Sequence, residues 1–171
     1  MDWMRDRAGM SRKHLSSKRK WIEVAFMKRV YIRDGRSPLP GSEFISRVMS
    51  ANKGKDTSPE LVLRRSLASI GVRGYRIHKD DIPGKPDIAF PRRRLAVFVN
   101  GCYWHRCPKC NLELPKTHRD FWLNKFELNK ERDIRKTKGL ESIGWKVLVV
   151  WECEIRKDAR QAAEKVRRAL Q

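Results

Sequence analysis

Residues 95–110, LAVFVNGCYWHRCPKC, constrain the fold of this chain more than any other stretch. The first five residues form a short, continuously apolar run, which is typical of a strand that is buried on both faces. Asn100 and Gly101 then end the run. Four side chains of types that ligate metals follow: Cys102, His105, Cys107 and Cys110. The sequence therefore predicts a buried strand that presents chemically active side chains at its end.

The excess of basic residues predicts an anionic partner. Forty Lys and Arg residues stand against twenty Asp and Glu, which gives a formal net charge of +20. A charge of this size favours binding to a polyanion, above all nucleic acid, and does not by itself distinguish DNA from RNA. A solvated basic surface, or a protein that only packs against RNA, is the alternative.

The sequence contains no apolar run of membrane length and no signal-peptide pattern at its N-terminus. We therefore expect a cytoplasmic protein without membrane contact. Residues 1–45 mix basic and aromatic residues without sustained periodicity and lead into a Pro/Gly break at residues 37–41. We predict a basic N-terminal arm over residues 1–45, or an extension set by the start site, and one domain over residues 46–171.

The order of elements predicts an α/β protein with a mixed sheet flanked by helices. Ser58 is the predicted N-cap of one helix, with Pro59 in its first turn. Residues 75–77 alternate and predict a half-buried strand, and a basic loop predicts an antiparallel hairpin further on. Helices are predicted near residues 44–49, 58–70, 120–140 and 158–171, and strands near residues 75–77, 87–90, 95–99 and 145–151.

The four cysteines favour a metal site or free thiols over disulfides, because we expect a cytoplasmic chain. Cys107 and Cys110 form a C-x-x-C pair, Cys102 precedes them, and Cys153 follows the last strand. Two strand ends in one sheet can bring Cys153 to the loop, and four thiolates suit a closed tetrahedral zinc site. A redox dithiol, unligated thiols, or His105 as a competing ligand are the alternatives.

Asp87 is a candidate ligand for a catalytic metal ion. It begins a strand whose hairpin partner ends at Asn100, and Mg²⁺ sites in nucleases use one or two carboxylates at such strand ends. Turn chemistry is the alternative reason for an aspartate after Pro86. The Glu/Asp-x-Lys half of the usual nuclease motif is missing, since Phe98-Val99-Asn100 stands in its place. The backbone carbonyl of Val99 is the predicted second ligand.

His105 and Glu60 each have a functional and a structural interpretation. His105 is a candidate general base, because imidazole accepts a proton near neutral pH, and a metal ligand or a structural hydrogen bonder are equal alternatives. Glu60 lies in the first turn of a helix, where a favourable interaction with the helix dipole is the simpler explanation.

Aromatic and polar side chains share one face of the long helix. Trp122, Asn129 and Asp133 follow helical spacing, so they are expected on one stripe. Tyr103 and Trp104 sit on the predicted ligand loop. Like Trp122, they are either core residues or side chains that insert between base pairs.

Taken together, these motifs resemble those of the very short patch repair (Vsr) DNA mismatch endonucleases. They occur in order from about residue 46 to residue 156, over nearly the whole predicted domain. The matching segments are DTSPE (56–60), PGKPD (83–87), FVNGCYWH (98–105), FW (121–122), NKERD (129–133) and GWKVLVVWEC (144–153).

The resemblance implies a restriction-endonuclease-like fold with a structural zinc. It implies Mg²⁺-dependent hydrolysis of one strand of duplex DNA, 5′ to the thymine of a T:G mismatch that arises by deamination of 5-methylcytosine. The functional companion would be a cytosine-5 DNA methyltransferase, and we expect a nucleoid-associated monomer. Related restriction or defence nucleases, and a non-catalytic zinc-stabilised nucleic-acid-binding module, are the alternatives.

The resemblance also implies roles for individual residues. Asp87, with the Val99 carbonyl, would bind Mg²⁺, and His105 would activate water. Glu60 and Asp133 would support them, and Asn129 would lie beside these acidic residues. The predicted aromatic wedge is Tyr103, Trp104 and Trp122, and the predicted zinc ligands are Cys102, Cys107, Cys110 and Cys153.

Two positions depart from the pattern of the family. Members often carry histidine where this chain has Asn100, which can orient water but cannot accept a proton. Some members also have histidine where this chain has a zinc-loop cysteine, an exchange that keeps a tetrahedral site possible.

Overall fold

The computed structural model describes residues 42–51 and 53–171. Residues 1–41, nearly all of the predicted N-terminal arm, lie outside the described residues. The helices are α1 (Glu43–Ser50), α2 (Ser58–Ser69), α3 (Arg119–Glu141), α4 (Glu152–Lys157) and α5 (Ala159–Ala169). The strands are β1 (Arg76–Ile77), β2 (Ile88–Phe90), β3 (Leu95–Asn100) and β4 (Lys146–Trp151).

The four strands form one mixed sheet in the order β1-β2-β3-β4. β1 pairs with β2, and β2 with β3, in antiparallel fashion, whereas β3 and β4 run parallel. A short 3₁₀ turn, Pro91–Arg93, joins β2 to β3. The long helix α3 connects the parallel pair, as such a crossover requires. The predicted mixed α/β sheet flanked by helices is confirmed.

Helices cover both faces of the sheet. On one face, α2, α4 and α5 bury an aliphatic core around Leu63, Val97 and Val166, each 0% exposed. On the other face, Leu140 from α3 packs with Ala96 and Phe98. β3 alternates between these two cores, which explains why its sequence reads as a continuous apolar run.

Three details differ from the sequence predictions. Thr57, not Ser58, is the N-cap of α2, because the carboxylate of Glu60 accepts from the Thr57 amide. β1 is a two-residue edge strand that is exposed instead of half-buried, with Ile77 43% exposed. The chain forms the short helix α4 directly after β4, which the sequence reading did not anticipate.

Strand directions bring three chain segments to one end of the sheet. β2 begins there after Asp87, and the parallel strands β3 and β4 both finish there. Asn100 is paired in register with Trp151. The segments that follow Asn100 and Trp151 therefore start side by side. Within the described residues, no helix is long and apolar enough to cross a membrane.

Candidate active site and thiolate cluster

Asp87 is a largely buried carboxylate at the start of β2. Its Oδ2 accepts a hydrogen bond from the Val99 amide at 2.7 Å. Burial is the main cause that raises the pKa of Asp87 to about 6, and the nearby Glu60 carboxylate also raises it. The hydrogen bond from Val99 acts in the opposite direction, because it stabilises the ionised carboxylate. A carboxyl with a raised pKa in this position is suited to a divalent cation, which would favour the ionised form.

Glu60 is 4% exposed and has structural partners for its carboxylate. Its oxygens accept from the Asp56 amide at 3.1 Å and from the Thr57 hydroxyl at 2.7 Å. These contacts fix the start of α2, and they hold a negative charge close to Asp87. Glu60 therefore caps α2 through hydrogen bonds, in addition to the helix-dipole interaction that its position in the first turn predicts.

His105 is held by helix α3. Its Nδ1 lies 2.5 Å from Asp133 Oδ2, and its amide donates to the Gly101 carbonyl at 3.1 Å. The Asp133 carboxylate accepts a hydrogen bond, so the proton belongs on Nδ1 and the Nε2 atom is left as the acceptor. The pair brings an imidazole of defined orientation to the same end of the sheet as Asp87.

Asn129 fixes the aromatic part of the loop. Its side-chain amide donates to the Trp104 carbonyl at 2.9 Å, and its own oxygen accepts from Arg132 at 3.0 Å. At 6% exposure it is one of two buried polar side chains of the described region, with Glu60 the other. Asn129 thus acts on the loop backbone, one turn before Asp133 on the same stripe of α3.

The aromatic side chains form a cluster between the loop and α3. The ring of Tyr103 lies edge-on to Trp104 with centroids 5.2 Å apart, and Trp104 and Trp122 lie 6.0 Å apart. Phe126 is the buried base of the cluster, 2% exposed, while the other three rings are partly exposed. This is the predicted stripe of α3, with its aromatic end at the molecular surface.

The four cysteines converge, as the sequence predicted. Their Sγ atoms all lie within 4.8 Å of one another, and all four thiols are free. Cys107 and Cys153 are 3.8 Å apart, which equals the sulfur–sulfur spacing of about 3.8 Å that a tetrahedral zinc site with bonds of about 2.3 Å requires. Burial raises the pKa of the Cys102 thiol. The donor set therefore fits a tetrahedral metal ion and does not include His105.

Parallel strand pairing explains this convergence. Cys102 follows β3 by two residues, and Cys153 follows β4 by the same number, while Asn100 and Trp151 are paired. The amide of Cys153 donates to the Cys102 sulfur at 3.3 Å. The Cys102 amide in turn donates to Glu152 at 3.2 Å, so α4 and the loop are joined at their first residues.

A second group of possible metal ligands does not fit a cation equally well. Asp56, Glu60 and His78 lie within 4.8 Å of one another. Arg64 already contacts the Asp56 carboxylate, and His78 Nε2 lies 3.1 Å from it. Because the Arg64 guanidinium already pairs with Asp56, these residues form a charge-balanced network that supports the start of α2. Sequence reasoning missed Asp56 and His78, since neither shares a periodic face with a predicted ligand.

A small cavity of about 20 Å³ adjoins the imidazole–carboxylate pair. Its lining includes Asn100, Asp133 and Lys136. Sequence reasoning also missed Lys136. The available signal was its place three residues after Asp133, on the same face of α3.

A buried strand-end carboxylate, an oriented imidazole and a thiolate cluster on a strongly basic chain are groups that metal-dependent nucleases use. Comparisons with known proteins make this more specific. The profile of the family described as DNA mismatch endonuclease Vsr matches residues 42–112. The chain is 48% identical over 109 residues to the type II nicking enzyme V.XorIIP of Xanthomonas oryzae pv. oryzae, which covers 63% of this chain and 79% of that protein.

Two further relatives agree. The type II nicking enzyme V.NaeI of Lentzea aerocolonigenes is 40% identical over 132 residues, or 73% of this chain and 77% of that protein. The DNA mismatch endonuclease Vsr of Escherichia coli (strain K12) is 37% identical over 111 residues, or 65% of this chain and 70% of that protein. The chain belongs to the Vsr endonuclease family, and the family resemblance seen in the sequence is confirmed.

Proposed function

We propose that this endonuclease nicks one strand of duplex DNA 5′ to the thymine of T:G mismatches, in a reaction that needs Mg²⁺. The observation that carries the proposal is the placement of Asp87 and of the His105–Asp133 pair at the same end of the sheet, with an aromatic cluster on the same loop and helix. The relatives include a DNA mismatch endonuclease and type II nicking enzymes, which supports the same activity. The mixed sheet fits the restriction-endonuclease-like fold that the sequence resemblance implies.

Asp87 and the backbone carbonyl of Val99 would hold the Mg²⁺ ion. The Val99 amide faces Asp87, and the amide and carbonyl of one residue in an antiparallel strand point to the same neighbour. The carbonyl is therefore directed toward the Asp87 side of β3. When bound, the ion would supply positive charge to the phosphate and lower the pKa of a water molecule.

His105 is the proposed general base. Its Nε2 atom takes the proton of the attacking water, because Asp133 engages Nδ1 and stabilises the imidazolium that forms. Glu60 and Asn100 support this site. Glu60 adds negative charge near Asp87, and the Asn100 amide can orient water but cannot accept its proton.

Tyr103, Trp104 and Trp122 are the proposed wedge at the mismatch. The three rings are partly exposed: Tyr103 and Trp122 pack on the buried Phe126, and Trp104 packs against both of them. They form an apolar edge on the loop that carries His105. Apolar side chains inserted between base steps unstack them, and a mismatched step is the cheapest to open. Asn129 donates a hydrogen bond to the Trp104 carbonyl and thereby fixes the position of the wedge relative to α3.

Cys102, Cys107, Cys110 and Cys153 are the proposed ligands of a structural zinc. The loop that they enclose carries His105 and has few buried apolar side chains, so a metal would provide the rigidity that packing does not. A redox role is less well supported, because a fourth thiol from α4 completes a tetrahedral set. The proposed cellular companion is a cytosine-5 DNA methyltransferase, whose deaminated product is the mismatch.

Nicking of a T:G duplex, measured with and without Mg²⁺, tests the proposal. We expect cleavage of the thymine strand only, only with Mg²⁺, and loss of cleavage in Asp87→Ala. Asp81→Ala removes a carboxylate from the exposed turn before β2 and serves as the matched control. Equal rates on matched and mismatched duplexes would favour a related restriction or defence nuclease. Tight DNA binding without cleavage of any duplex would instead favour a non-catalytic binding module.

A further inference from the structure

The nuclease motif of this chain lacks its strand lysine, and Asn100 stands at that position of β3. A phosphate that undergoes hydrolysis gains negative charge in the transition state, and a nearby ammonium or guanidinium group stabilises it. We propose that Lys136, from helix α3, is the cation that contacts the scissile phosphate in place of the missing strand lysine. The proposal rests on the proposed endonuclease function and adds a catalytic residue to it.

The position of Lys136 supports this role. It lines the same small cavity as Asn100 and Asp133, so a helix lysine lies beside the strand position from which the lysine is missing. Gly84, which contacts the Lys136 side chain, lies three residues before Asp87 in the chain.

The stem of Lys136 is held in place by its neighbours. Its Nζ lies 5.5 Å from the centroid of the Phe98 ring, in a cation–π contact. Gly84 packs against the same stem, since a Cβ on Gly84 would come within 3.1 Å of Lys136 Cβ. The Lys136 side chain therefore lies against Phe98 and Gly84, on the face of the sheet that carries Asn100.

The ammonium of Lys136 is available for a substrate. Within residues 53–171, no hydrogen bond or ion pair engages it, whereas Lys130 on the same helix pairs with Glu127 at 2.9 Å. A phosphate oxygen next to Asp87 would supply the missing partner. Lys136 contributes positive charge and a hydrogen bond.

The test compares Lys136→Met with Lys138→Met. Methionine keeps the packing on Phe98 and removes only the charge, and Lys138 is an exposed lysine of the same helix. We expect Lys136→Met to lower the single-turnover nicking rate on a T:G duplex by about 100-fold at saturating Mg²⁺. Its Kd for the duplex should match that of Lys138→Met, and Lys136→Arg should recover most of the rate.

Two further readouts separate catalysis from structure. The Tm of Lys136→Met should equal that of the wild type, and its rate deficit should persist at every Mg²⁺ concentration. If Lys136→Met and Lys138→Met nick at the same rate while the wild type is active, the role of Lys136 is overturned and the proposed function stands. A wild-type protein that nicks no duplex overturns both.

Discussion

Replacing Asp87 by asparagine should abolish activity and stabilise the metal-free protein. The amide oxygen of asparagine can still accept from the Val99 amide, so the geometry at the start of β2 is kept. Burial raises the pKa of Asp87 from 3.8 to about 6, which means that the fold disfavours the ionised carboxylate. The shift of about 2 units corresponds to about 3 kcal/mol of unfavourable free energy when the group is ionised.

The stability gain must depend on pH in a defined direction. Because the folded-state pKa is raised, the native protein binds the extra proton between pH 3.8 and about 6, and stability is lost as the pH rises through this window. Asp87→Asn should therefore be more stable than the wild type by about 3 kcal/mol at pH 8 and by about half as much at pH 5. Below pH 3.8 the two proteins should be equally stable.

Urea unfolding at pH 8 and pH 5, in magnesium-free buffer without a chelator that removes zinc, measures both values. Asp81→Asn is the control, because a hydrogen bond from Lys79 lowers the pKa of that exposed carboxyl. Asp81→Asn should give no stabilisation at either pH. An Asp87→Asn protein that gains nothing at pH 8, or gains equally at both pH values, would refute burial as the origin of the shift.

Three further substitutions test the site. Asp133→Asn should lower the single-turnover nicking rate by about 10²-fold, since His105 loses the carboxylate that orients it. Glu131→Gln, on the exposed face of α3, should leave the rate unchanged. Equal rates for the two variants would contradict a catalytic role of the His105–Asp133 pair. Metal analysis of the wild type should find about one zinc ion per chain. Cys153→Ser should lose this zinc and have a lower Tm, and full zinc content in the variant would exclude Cys153 as a ligand. Trp122→Ala should weaken binding to T:G duplex more than to matched duplex, and an equal loss would argue against a wedge.

The elements that sequence patterns predicted well are those with one strong signal. The apolar runs at residues 95–99 and 145–151 gave β3 and β4, and the polar-aromatic stripe gave α3 with Asn129 and Asp133 on its inner face. These signals are local and arise from burial, so they survive without knowledge of the tertiary structure. The resemblance between motifs then identified the family.

The features that were predicted wrongly, or not predicted, depend on tertiary structure that local sequence patterns do not determine. Thr57 and Ser58 are both good caps, and only the capping-box spacing from Thr57 to Glu60 separates them. β1 alternates like a half-buried strand, but it lies at the edge of the sheet, where Ile77 is 43% exposed. Lys136 reads as a solvated lysine of a charged helix. Its approach to Asp87 depends on how α3 packs across Phe98 and Gly84, which no single-sequence pattern contains.

The register of the parallel pair sets the position of the thiolate cluster relative to the proposed hydrolytic groups. Asn100 opposite Trp151 puts Cys102 and Cys153 side by side, and a slip of one residue would turn every β4 side chain to the other face of the sheet. The four sulfur atoms could then no longer lie within tetrahedral reach of one another. His105 is only three residues beyond Cys102, and its partner Asp133 sits on the helix that connects the two strands. The register of the parallel pair therefore places the four sulfur atoms and, through Cys102, the loop that carries His105. A metal ion bound by the thiolate cluster would hold this loop in position without taking part in the chemistry.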